Sequence, residues 1–126
     1  MKIIRSSDKP YIPASHENPL APGVWKKVLL QRDDVQPGTL QMINWGRLPA
    51  GNSFSAHYHE DLQEIFIIVA GEAEMAVAGE TVLLVRGDTI AVDPRETHRM
   101  TSRGSEDVEY VVVGITANLG GKTVVV

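Results

Sequence analysis

The stretch Gly51-Asn-Ser-Phe-Ser-Ala-His57-Tyr-His59-Glu-Asp-Leu-Gln-Glu64-Ile-Phe-Ile-Ile-Val-Ala-Gly71 decides how the rest of the chain is read. His57 and His59 stand two apart. Successive side chains on a β-strand alternate faces, so both imidazoles project to one side and Tyr58 to the other. A short polar stretch follows at 60–62, and Glu64 then heads an apolar run. If the chain doubles back there, 54–59 and 64–69 form a hairpin and Glu64 begins its strand beside the histidines. Two imidazoles and a carboxylate converging on one point suit a divalent transition metal. Taken alone, the same residues read equally well as surface decoration of a strand.

A second stretch tips that balance. Gly87-Asp88 opens a strand-like run over 89–92, Asp93-Pro94-Arg95-Glu96 breaks it, and Thr97-His98-Arg99-Met100 resumes it. Together the two stretches resemble the cupin superfamily. Its first motif is Gly, five residues, His-x-His, three or four residues, Glu, six residues, Gly. Gly51, His57, His59, Glu64 and Gly71 meet it at every position. In the second motif, Gly87 and His98 have the family's separation, but the interior departs. Pro94 is shifted by one, Arg95 stands at the family's Gly, and Ser102 stands at its closing Asn.

The resemblance implies a small single-domain cupin: an all-β, antiparallel double-stranded β-helix (jelly-roll) barrel with His57, His59, Glu64 and His98 as metal ligands. The chemistry of the donors agrees. Three neutral imidazoles and a carboxylate suit Fe, Mn, Ni, Co, Cu or Zn better than Mg or Ca, which favour all-oxygen surroundings. Four protein ligands also leave room on an octahedral ion for water or substrate.

Composition is compatible with such a barrel. At 126 residues the chain is long enough for one domain with a real core. We expect a single barrel over 1–126, with an extended N-terminal arm at 1–23, the barrel at 24–116 and a C-terminal tail strand at 117–126. Cys is 0, which excludes a disulfide framework and thiolate metal sites and fits a reducing, cytoplasmic setting. The net charge of −4 comes without a basic stripe, so no nucleic-acid partner is expected. No apolar run reaches membrane-spanning length, so no membrane partner is expected either.

Gly (11) and Pro (7) punctuate short runs rich in Val, Ile and Thr, and no helix-length window keeps one apolar face unbroken. Several short strands follow. They are expected at 2–5, 24–32, 40–48, 54–59, 64–69, 73–77, 81–85, 89–92, 97–103, 107–116 and 123–126, with a hairpin turn at Ala78-Gly79-Glu80. The proline-rich segment 6–23 reads as an extended arm, with His16 and Glu17 at its surface.

Parity names the pocket walls. Phe66 and Ile68 share the face of Glu64, and Met100 that of His98; Tyr110 could reach the mouth or serve as an outer aromatic. Arg99 and Arg103 have the opposite parity from His98 and belong outside. No nucleophile elbow, phosphate-binding loop or dinucleotide-binding glycine pattern is present, and no catalytic residue is assigned.

Two readings of function follow. One is a metal-dependent enzyme of dioxygenase, decarboxylase or isomerase type acting on a small organic molecule, with an oxidoreductase among the options. The alternative is a non-catalytic small-molecule-binding or sensor module with a structural metal. A homodimer is expected because 2–5 and 123–126 look like unpaired terminal strands.

Overall fold

Short alternating runs become strands because each buries one face and leaves the other in solvent. In the computed structural model, which describes residues 1–117 and 120–126, helix among the described residues is confined to two 3₁₀ turns, Ser6–Asp8 and Arg32–Asp34. The strands are β1 (Lys2–Ile4), β2 (Ile12–Pro13), β3 (Trp25–Lys26), β4 (Thr39–Leu48), β5 (His57–His59), β6 (Leu62–Ala70), β7 (Ala73–Val77), β8 (Glu80–Leu84), β9 (Thr89–Val92), β10 (His98–Ser102), β11 (Val108–Thr116) and β12 (Thr123–Val125). They form two five-stranded antiparallel sheets, ordered β1-β9-β6-β11-β4 and β12-β5-β10-β7-β8, with β2 and β3 as a separate ribbon. This is the expected all-β jelly-roll barrel. No helix of the described residues is long and apolar enough to cross a membrane.

The inward faces make one apolar core. On β7, Ala73, Met75 and Val77 are fully buried while Glu74 and Ala76 point away from it. Leu84, Ile90, Met100 and Val108 join them. The β7–β8 turn is the expected hairpin. Ala78 and Gly79 both take positive φ, as a tight two-residue turn requires.

Three expectations are corrected. Segments 54–59 and 64–69 are not a hairpin: β5 and β6 lie in different sheets, and the chain crosses the barrel between them. The crossing is fixed from afar. Glu60 N–H donates to the Lys122 carbonyl at 3.0 Å, and the buried Asp61 carboxylate accepts the Gly121 N–H at 2.6 Å and the Thr116 hydroxyl at 2.7 Å. The strand expected over 24–32 shrinks to β3, because the Asp34 carboxylate takes the Gln31 N–H at 2.8 Å and bends the chain into a turn. The terminal strands are not unpaired. β1 pairs with β9, and β12 pairs with β5. Of the tail expected at 117–126, residues 118 and 119 lie outside the described residues.

β1 is also clamped by charge. Asp88 is buried and accepts hydrogen bonds from Arg5 Nη1 at 2.7 Å, Val85 N–H at 3.0 Å and Ser6 N–H at 3.2 Å. The substitution Asp88→Ala strands these donors. It is expected to destabilise the protein by about 2 kcal/mol, discounted for the partly exposed Arg5. Urea unfolding checks this: a loss below about 0.5 kcal/mol, the size of an ordinary surface substitution, would show that the clamp contributes nothing.

Candidate metal centre

Four side chains from both sheets meet inside the barrel. β5 supplies His57 and His59, β10 supplies His98, and the facing sheet supplies Glu64 from β6. One donor atom from each residue lies within 4.8 Å of all the others, so the four could hold a metal ion. Strand alternation puts the two β5 histidines on one face, and the pairing of His57 with His98 across β5 and β10 adds the third. Glu64 arrives from across the barrel, not from a neighbouring hairpin strand.

The rings are held from behind. His57 Nδ1–H donates to the Ser55 carbonyl at 2.7 Å, and His98 Nδ1–H donates to the Glu96 carbonyl at 3.0 Å. A carbonyl can only accept, so both Nδ1 atoms carry hydrogen and a neutral ring presents its lone pair at Nε2. His59 Nδ1 is 3.0 Å from the Thr123 hydroxyl. In front, His59 Nε2 and His98 Nε2 lie 2.8 and 2.9 Å from the same atom, Glu64 Oε1.

At His98, whose neutral ring would turn its Nε2 lone pair toward the carboxylate, such an approach needs a proton or a cation at the meeting point. A neutral His59 can instead donate from Nε2 if the Thr123 hydroxyl donates to its Nδ1. The donor set therefore fits a divalent transition ion, with three nitrogens and a carboxylate oxygen converging and each ring oriented by an oxygen behind it.

The electrostatics keep these donors available. Burial by itself would raise the Glu64 pKa. Hydrogen bonding from His59 and His98 and their charge outweigh it and hold the carboxyl at about 2, so Glu64 is a carboxylate at neutral pH. Burial, with the neighbouring His98 and His59, pushes the His57 imidazole below its ordinary 6.5 against the pull of the Ser55 carbonyl and Glu64. Burial and then the Glu64 charge push the Tyr110 hydroxyl up, so it remains a donor.

A cavity of about 300 Å³ opens on one side of the cluster. Its walls are Met42, Asn44 and Gly46 from β4, with Phe54, His57, Glu64, Phe66, Tyr110 and Val112. Phe66 and Tyr110 line it, their ring centroids 5.6 Å apart. Ile68 and Met100 do not. Both are fully buried in the core behind it, on the expected face but at another depth along their strands. Gly46 lies opposite Tyr110, and a Cβ there would come within 2.2 Å of the Tyr110 ring, so only glycine leaves the ring in place.

Sequence reasoning missed the β4 wall, Phe54 and Thr123. Alternation could have assigned Met42 and Asn44 to one face of β4, but nothing local says that this face meets the histidines. Arg99 and Arg103 are exposed as expected, and Arg103 pairs with Glu74. Glu96 serves the turn, accepting the Asp93 N–H at 2.8 Å. A larger groove of about 700 Å³, lined by Arg32, Asp33, Gln36, Leu40 and Ile115 among others, shares no residue with the cluster.

The sequence model of the family described as the cupin domain matches residues 44–114. No curated protein matches the chain. Among solved structures, the chain is similar to a conserved protein with a double-stranded β-helix domain from Klebsiella pneumoniae. That match has 23% identity and a TM-score of 0.61, covering 66% of this chain and 71% of that one. It is also similar to an oxalate oxidase in complex with the substrate analogue glycolate (20% identity, TM-score 0.60, 67% of this chain and 45% of that one). A third similarity is to a sugar phosphate isomerase of the cupin superfamily from Silicibacter pomeroyi (25% identity, TM-score 0.54, 60% and 50%). The match spans about half the length of these two enzymes or less.

Proposed function

The chain belongs to the cupin domain family, and on that premise we propose that it is a metal-dependent enzyme acting on a small, weakly polar organic molecule. His57, His59, Glu64 and His98 would bind one divalent ion of Fe, Mn, Ni, Co, Cu or Zn. The observation that carries this reading is the cavity touching the His57 and Glu64 side of the cluster. When bound, the ion would supply a Lewis acid that polarises a substrate oxygen, or a site that activates dioxygen.

The chain's own residues would do the rest. Met42, Phe54, Phe66 and Val112 would enclose an apolar body, while the Asn44 amide and Tyr110 hydroxyl would orient its polar edge. Among the described residues no Lys or Arg lines the cavity, so a sugar phosphate, as in the isomerase above, fits poorly. Dioxygenase, decarboxylase and isomerase chemistry all remain within this proposal. One observation favours the alternative of a binding or sensor module: among the described residues, Tyr110 is the only titratable group on the cavity wall besides His57 and Glu64.

Protein purified without a chelating tag is expected to carry about one transition ion per chain. The double variant His59→Ala/His98→Ala should carry less than about a tenth of that, and acidification from about pH 7 to about pH 5 should release the ion as protons compete for the imidazoles. Unchanged metal content in the variant would refute the ligand assignment. The loaded protein should then convert at least one compound from a panel of small carbonyl and hydroxy compounds, followed by oxygen uptake and mass spectrometry. A rise in Tm with ligand but no product would favour the binding module.

We also infer a homodimer, now for a different reason. β4 ends its sheet, and its outer side carries Leu40, Ile43 and Trp45 at 56%, 61% and 63% exposure. A long apolar edge of this kind invites a partner. Light scattering should give twice the chain mass, and Ile43→Lys with Trp45→Lys should shift it to the monomer. A wild-type mass near 13.8 kDa would exclude the dimer.

A further inference from the structure

Two of the four donors sit on β5, a strand of three residues joined to β10 by the single register pair His57–His98. Its fuller partner is β12, near the far end of the sequence, where Thr123 faces His59, Val124 faces Tyr58 and Val125 faces His57. Two further backbone bonds flank this pairing, Glu60 N–H to the Lys122 carbonyl and Val126 N–H to the Ala56 carbonyl, each 3.0 Å. β12 thus fixes β5, and it adds one side-chain contact to the cluster, the Thr123 hydroxyl at 3.0 Å from His59 Nδ1.

Resting on the metal reading above, we propose that Thr123 is a positioning residue of the metal centre, whose hydroxyl holds His59 Nδ1 and so aims Nε2 at the ion. His57 and His98 receive the same service from backbone carbonyls, which no side-chain substitution removes. His59 alone depends on a side chain for it. As an acceptor, the hydroxyl takes the Nδ1–H and leaves the lone pair at Nε2, the arrangement that a metal-binding imidazole needs.

The test uses cobalt(II) and the full chain. Thr123→Val keeps the β-branched shape, and Thr123 is exposed, so the metal-free fold should survive with its Tm little changed. Cobalt affinity by calorimetry should fall on the order of tenfold. This is the lower end of the range for such partners, because water can replace part of an exposed bond. The cobalt absorption spectrum should change with it. Thr123→Ser, which restores a hydroxyl, should recover both affinity and spectrum.

Unchanged affinity in Thr123→Val, with wild type binding cobalt normally, would overturn the role of Thr123 and leave the metal reading standing. The same holds if Thr123→Ser fails to rescue, or if Tm of the metal-free protein falls in step with affinity, since either outcome marks a merely structural strand residue. A wild-type protein that binds no cobalt would overturn the metal reading and the role together.

Discussion

One oxygen atom organises the interior. Glu64 Oε1 is approached by His59 Nε2 and His98 Nε2 at 2.8 and 2.9 Å, inside a barrel where Glu64 and His98 are both buried. Because the Nδ1 of His98 is committed to a carbonyl, its neutral ring would turn a lone pair toward a carboxylate. Positive charge must answer it. An ion at this point would bond to Glu64 from one sheet and to histidines from the other, so metal binding would brace an already closed barrel. Binding of this kind stabilises the native state by mass action.

The surroundings suit that centre for reaction or capture. Aromatic rings stand around the histidines, with Phe54 centred 5.3 Å from His57 and Phe66 centred 5.9 Å from His98. The cavity borders the cluster on its His57 and Glu64 side. A low-dielectric wall also strengthens whatever electrostatic contact an incoming oxygen makes with an ion.

Much of this was legible from residues alone. Strand parity put His57 and His59 on one face, and the motif glycines have a backbone reason: Gly51, Gly71 and Gly87 take φ of 82°, 80° and 87°. The departure at Arg95 has one too. Arg95 adopts φ 66° at the family's glycine position and donates its N–H to the His59 carbonyl at 2.7 Å, so the turn keeps its shape at a cost of roughly 1 kcal/mol in strain. What the sequence hid were contacts between distant segments. The crossing between β5 and β6 depends on Asp61 and Lys122, the cavity wall on β4, and the support of His59 on Thr123. Parity gave Ile68 and Met100 the correct face but could not give depth, which follows from how the two sheets are set against each other.

X-ray absorption at the zinc edge of zinc-loaded protein tests the shared centre most directly. Three imidazole nitrogens and one carboxylate oxygen around a single ion are expected, with the nitrogens at about 2.0–2.1 Å. A spectrum with no more than one imidazole, or with the ion surrounded by oxygen alone, would contradict a centre built from both sheets.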